Sequence, residues 1–129
     1  MIKTKILHVD DDPDIRDVTR LSFELIDDFT VESAPSGEEA LNCIAASKPD
    51  LILLDVMMPE MDGRELKQIL HNRPDTRDIP VVFMTAVSER QTLDELIALG
   101  ALGIISKPFD AIALADDLRR LLESEPVRA

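Results

Sequence analysis

The stretch Leu51–Gly63, LILLDVMMPEMDG, decides how the rest of the chain is read. Four consecutive aliphatic residues without polar alternation mark a strand covered on both faces, and such strands belong to parallel sheets flanked by helices. This one ends in a single carboxylate, Asp55, followed by a methionine-rich loop. Asp55 is either an ordinary strand end or the reactive group of a site. The choice turns on what the other strands bring to the same edge.

Four further short apolar runs lie around it: KILHV (5–9), TVESA (30–34), VVFM (81–84) and GIIS (103–106). A longer amphipathic segment follows each, so strands alternate with helices. Helix starts are marked by Ser36 with Glu39, Asp62 with Glu65 and Ser88 with Gln91, pairs that match or approximate a capping box. Asp12 before Pro13 is a cap with proline at the first helical position, and Asp110 is placed to cap the last helix. Helical spacing predicts core faces at Leu41, Ile44 and Ala45, at Leu66, Ile69 and Leu70, at Leu93, Leu96 and Ile97, and at Leu114, Leu118, Leu121 and Leu122. Right-handed crossovers then give an α/β fold, a doubly wound (βα)5 sandwich.

At 129 residues the chain has room for one domain with a substantial core. No apolar run approaches the ~20 residues needed to span a bilayer, and the start, MIKTKILHVDDD, turns acidic before a signal-peptide core forms. A cytoplasmic location is expected. With 14 basic and 26 acidic residues the net charge is −12, which repels phosphate backbones and anionic lipid surfaces. Neither direct nucleic-acid binding nor membrane association is expected. The one cysteine, Cys43, reads as a small core residue and can form no internal disulfide. His8 and His71 read as structural or surface residues rather than phosphohistidines. The end, ESEPVRA, is polar, and fraying is expected there.

In open α/β sheets the functional crevice lies outside the carboxyl ends of the strands. The first strand ends there in Asp10, Asp11 and Asp12, the third in Asp55, the fourth in Thr85, and the fifth in Ser106, Lys107 and Pro108. Asp12 is better explained as the helix cap. The remaining carboxylates would raise one another's pKa unless a cation neutralised them. Oxygen-only donors point to a hard ion such as Mg2+. A carboxylate, a hydroxyl, an amine and such an ion suit a phosphoryl group, with Asp55 as nucleophile and Lys107 and Thr85 neutralising or hydrogen-bonding its oxygens. Thr85 as a plain strand residue and Lys107 as a surface amine are the simpler alternatives.

These residues resemble the receiver domains of two-component response regulators, the CheY-like superfamily, over about residues 3–124. The motifs are LHVDDDPDIR, LILLDVMMPEMDG, VVFMTA and ISKPF, four in order at strand ends. The resemblance implies a flavodoxin-like five-stranded parallel sheet in the order 2-1-3-4-5, a receiver domain over 1–124 and a short tail over 125–129. It implies that Asp55 takes a phosphoryl group from a phosphohistidine on a sensor histidine kinase or histidine phosphotransfer protein. Mg2+ would be held by Asp11, Asp55 and the backbone carbonyl of Met57, with Asp10 acting mainly through a water. Lys107 would pair with the phosphoryl group, Thr85 would move toward it, and the Lys107–Pro108 bond would be cis. The signal would pass to a downstream effector protein through the surface around the fourth helix and fifth strand. Phosphorylation-dependent homodimerisation through the last two helices stays open, as does a place within a longer regulator.

Two departures from the family pattern stand out. The switch position on the fifth strand, aromatic in the family, is Ile104, so output is expected to depend on the segment Ser88–Leu99 instead. The positions that flank the attacking water in family dephosphorylation are Met57 and Val87, both apolar, so a long-lived phosphoryl-aspartate is expected. Met57 also bears on the main alternative, a Mg2+-dependent phosphohydrolase with an aspartyl-phosphate intermediate. Such enzymes need an acid/base aspartate two residues after the nucleophile, where this chain has methionine. An inert interaction domain is disfavoured because Asp10, Asp11, Asp55, Thr85 and Lys107 are all present.

Overall fold

The computed structural model describes residues 4–26, 28–86 and 90–123. Five strands alternate with five helices: β1 (Thr4–Val9), α1 (Pro13–Glu24), β2 (Phe29–Ala34), α2 (Gly37–Ala46), β3 (Leu51–Asp55), α3 (Gly63–His71), β4 (Val81–Thr85), α4 (Arg90–Ala98), β5 (Gly103–Ser106) and α5 (Leu114–Glu123). All four strand pairings are parallel, and the order is β2-β1-β3-β4-β5. The expected doubly wound architecture and its strand order are therefore present. Among the described residues no helix is long and apolar enough to cross a membrane.

The central strand, β3, accounts for the unbroken aliphatic run Leu51–Leu54. Every residue of β3 is buried, and alternate side chains feed two cores because strand side chains have a period of two. Ile52 and Leu54 pack with Leu66, Leu70 and Leu96 from α3 and α4, whereas Leu51 and Leu53 pack with Phe23, Leu114 and Leu118 from α1 and α5. A strand serving two such layers has no solvent face, so its sequence shows no polar alternation.

The caps follow the sequence closely. Asp12 accepts a hydrogen bond from the Asp14 amide, Ser36 from Glu39, and Asp62 from Glu65, each satisfying a donor that the first helical turn leaves open. Ser88 lies outside the described residues, as do Val87 and the tail beyond Glu123. Asp110 differs from expectation. Its side chain accepts from the Ile112 amide, and its carbonyl accepts from Ala113 and Leu114. It therefore closes the turn that leads into α5, four residues before the helix begins.

Two residues assigned to core faces are exposed, Ala45 and Ile97. At 100° per residue each sits roughly 100° round from its buried ridge, formed by Ala40 and Ile44 on α2 and by Leu96 on α4. Those stripes are narrower than the spacing suggested. Cys43 is half-buried against the α2–α4 core, and burial raises its thiol pKa, with Glu32 and Glu39 adding to the effect.

Candidate phosphoryl-accepting site

The carboxyl ends of β1, β3, β4 and β5 converge as the parallel topology requires. Val9 pairs with Leu54, Asp55 with Met84, and Thr85 with Ser106, so the first residues beyond β1 and the last residues of β3 to β5 lie at one level. Asp10, Asp55 and Thr85 are all buried there, and Asp11 is exposed at the rim.

Lys107 ties the strands together. Its Nζ donates to Asp10 Oδ2 at 2.8 Å and to Asp55 Oδ1 at 3.0 Å. Its backbone amide donates to the Thr85 carbonyl at 2.9 Å. The following bond to Pro108 is cis, as the resemblance implied. The ammonium thus reaches two carboxylates from β5 while its own backbone continues the pairing with β4. A solvated surface ammonium would not make the two carboxylate contacts.

Asp10 is held on three sides. Its amide donates to Ala34 at 3.1 Å, its carbonyl accepts from the Arg16 guanidinium at 2.8 Å, and its Oδ1 accepts from the Asp12 amide at 3.0 Å. Arg16 was not picked out in the sequence, although its place one turn into α1, four residues after the cap, aims it back at the strand end. Glu60 was also missed: it has a φ of 66°, a left-handed conformation uncommon for a residue other than glycine, and it turns the β3–α3 loop back toward Asp62. The Met58 side chain is buried under this loop, and that of Met57 is 65% exposed.

The electrostatics are those of a crowded acidic pocket. Burial raises the Asp55 pKa above the usual carboxylate value, and Asp10 and Asp11 add to the rise, against the lowering effect of Lys107. Burial alone would lower Lys107, but its bonds to Asp10 and Asp55 outweigh that and raise it. Oxygens of Asp10, Asp11 and Asp55 all lie within 4.8 Å of one another. An octahedral Mg2+ site sets opposite oxygens ~4.2 Å apart, so this spread is within reach of small side-chain rotations. The donor set is all oxygen and suits a hard divalent cation.

His8, next to the pocket on β1, is fully buried, and neither ring nitrogen has a hydrogen-bond partner among the described residues. Its Nε2 stands 3.9 Å from Asp10 Oδ2, too far for a hydrogen bond. Burial lowers its pKa to about 4 against the pull of Asp10, with Lys107 and Arg16 lowering it further. The ring is therefore neutral near pH 7. Ile104 is half-buried and packs against the α2–α4 core, while its neighbour Ile105 faces the opposite layer.

The family model for the response regulator receiver domain matches residues 6–119. The chain is 39% identical to response regulator MprA of Mycobacterium ulcerans, over 94% of this chain and 51% of that protein. It is 35% identical to regulatory protein AtoC of Escherichia coli, over 96% of this chain and 26% of that one. The chain thus spans about half or less of the length of the curated relatives it matches. Among solved structures, chemotaxis protein CheY4 of Vibrio cholerae superposes with a TM-score of 0.85 at 30% identity, over 93% of this chain and 99% of that one. The receiver domain of a signal transduction histidine kinase from Syntrophus aciditrophicus gives 0.81 at 33% identity, over 98% and 96%.

Proposed function

The chain belongs to the response regulator receiver domain family, and on that premise we propose that it is a phosphorylation-dependent signalling switch with Asp55 as phosphoacceptor. The observation that carries this is the Lys107 ammonium bridging Asp10 and Asp55 at 2.8 and 3.0 Å, with the Asp11 carboxylate beside them. A half-buried cation between two buried carboxylates is expensive as a purely structural device. It becomes economical where an incoming phosphoryl group adds negative charge.

The donor is a phosphohistidine on a sensor histidine kinase or a histidine phosphotransfer protein. Asp55 Oδ1 is engaged by Lys107, which leaves Oδ2 to attack phosphorus. The new O–P bond forms as the N–P bond breaks, and the imidazole nitrogen keeps the electron pair and takes a proton. Lys107 then neutralises a phosphoryl oxygen, and the Thr85 hydroxyl at the adjacent strand end donates to another. Asp11, Asp55 and the backbone carbonyl of Met57 would hold Mg2+, with Asp10 reaching it through water. The ion, when bound, would offset negative charge on the phosphoryl oxygens.

The product is an acyl phosphate whose lifetime sets the duration of the signal, so the chain acts as a switch rather than as a multiple-turnover enzyme. Its output goes to an effector, either a separate protein or a further domain of a longer regulator, through the surface of α4 and β5. Intact mass after incubation with acetyl phosphate tests this. One added phosphoryl group that requires both Asp55 and Mg2+ is expected. No adduct on the wild type, together with no response to a beryllofluoride mimic, would leave an interaction module without phosphotransfer. Multiple turnover on small phosphate esters would make the chain a hydrolase.

A further inference from the structure

On the far side of the sheet from α1 and α5, α3 and α4 leave a cavity of about 570 Å3 between their carboxyl-terminal ends. Lys67, Gln68, His71, Asn72 and Arg77 line it, together with the apolar turn at Leu99. No carboxylate is among its described lining residues, in a chain with 26 acidic residues. The volume falls in the range of small-molecule sites.

Lys67 is the unusual member. It is 5% exposed, and among the described residues it has neither a hydrogen bond nor an ion pair. Buried charges are ordinarily paired, because desolvation without compensation costs several kcal/mol. Burial accordingly depresses its pKa below the ordinary amine value. Its ammonium lies beside Gly100, where a φ of +91° closes the end of α4. The negative end of that helix is a partial partner for Lys67. Two helix ends, α3 and α4, amount to about one negative charge, whereas Lys67 and Arg77 bring two positive charges. Among its described lining residues the cavity keeps a positive excess.

We propose that this cavity is a second ligand site that binds the phosphate group of a small anionic molecule. Lys67 supplies a point charge at the base, and Arg77 at the rim supplies a planar pair of donors suited to phosphate oxygens. The amides of Gln68 and Asn72 fix its orientation. The space beside Leu99 exceeds what a lone phosphate fills and takes an organic portion. The site is separate from Asp55 and does not depend on the phosphoacceptor reading.

The test is a titration of 15N-labelled protein, without Mg2+, with pyrophosphate, AMP and adenosine. Saturable shifts at amides 67–77 and 98–100 with both phosphates, and none with neutral adenosine, are expected. Tighter binding of AMP identifies a phosphorylated organic ligand, and equal or tighter binding of pyrophosphate identifies a free phosphate. Arg77→Gln should weaken the interaction ~10-fold, the loss of one charge-assisted contact. Lys67→Met, which keeps the stem, should abolish it. Arg77 is exposed, so its variant keeps the test decisive even if Lys67→Met does not fold. Asp55→Asn should bind as the wild type does. The proposal is overturned by the absence of saturable shifts up to about 10 mM, by shifts confined to the Lys107 end, or by unchanged affinity in Arg77→Gln.

Discussion

A Cβ placed on Gly63 would lie 2.4 Å from the backbone oxygen of Asp55. The first residue of α3 thus packs directly on the strand end that carries Asp55, and its amide donates to the next carbonyl, Val56, at 2.9 Å. The obstacle is backbone, which cannot swing aside as a flexible side chain would. Gly63→Ala must push α3 off β3 or tilt Asp55. We expect a loss of ~1–3 kcal/mol in urea denaturation, typical of overpacking, and slower phosphorylation by acetyl phosphate. Unchanged stability and rate would show that the helix start yields freely.

Ionising Asp55 is disfavoured in the fold relative to the unfolded chain. Its folded pKa is raised, so its contribution is most favourable below the unfolded value and is lost as pH rises through the folded one. The fold is therefore less stable with Asp55 ionised, as at pH 7, than with it protonated. Asp55→Asn, a neutral analogue of the protonated form, should melt a few degrees higher than the wild type at pH 7, and the gap should shrink in acid. Mg2+ should stabilise the wild type by linkage and the variant far less. Melting curves at two pH values, with and without Mg2+, decide it; a variant that melts lower at pH 7 would contradict the burial argument.

His8 gives the opposite pH dependence. Its folded pKa of about 4 lies below the ordinary 6.5, so between those values the unfolded chain binds the extra proton. Stability present above pH 6.5 is lost as pH falls toward 4, by about 3 kcal/mol if the whole shift is expressed. Urea titrations at pH 7 and 4.5 should show a steeper acid loss in the wild type than in His8→Leu. Parallel losses would assign the acid sensitivity to other groups.

How much of this was visible beforehand depends on whether a feature is local. LILL declared a two-sided strand because burial on both faces removes polar alternation, and Asp12, Ser36 and Asp62 declared helix starts because capping needs only a side chain and an amide a few residues away. The convergence of Asp10, Asp55, Thr85 and Lys107 was legible because parallel topology sends strand ends to one edge. The Gly63 contact was not, since it is a distance between backbones. Nor was the burial of Lys67, because an amphipathic pattern cannot show which lysine a neighbouring helix will cover. Ala45 and Ile97 were misplaced for a related reason: spacing gives the direction of a stripe, and its width depends on the partner surface.

Ile104 has no ring to rotate and no hydroxyl, and it already packs against the α2–α4 core. On the proposed reading, the output of phosphorylation is expected at α4 rather than at β5. Phosphorylation or beryllofluoride should change amide hydrogen exchange across Arg90–Ala98 by several-fold, while β5 changes little. Ile104→Ala should leave the α4 response in place. Exchange that stays unchanged across α4 would place the output elsewhere.

On the proposed reading, phosphoryl lifetime is expected to depend on Met57. Its side chain is 65% exposed beside the acidic pocket, where a polar group could hold a water in line with the acyl phosphate, and a thioether holds it poorly. Unassisted hydrolysis is the consequence, and the phosphorylated form should persist. Met57→Asn places an amide at that position, and Val87→Glu adds a carboxylate at the other position that flanks the water in the family. Each should speed phosphate loss, together by ~10-fold or more, the scale of water-orienting catalysis. Because Met57 buries little surface, its replacement should leave the melting temperature nearly unchanged, so a shorter lifetime could not be blamed on a loosened fold. Phosphoprotein decay followed by intact mass after the phosphodonor is removed measures this directly, and equal lifetimes in the wild type and the double variant would mean that water reaches the phosphoryl group by a route Met57 does not guard.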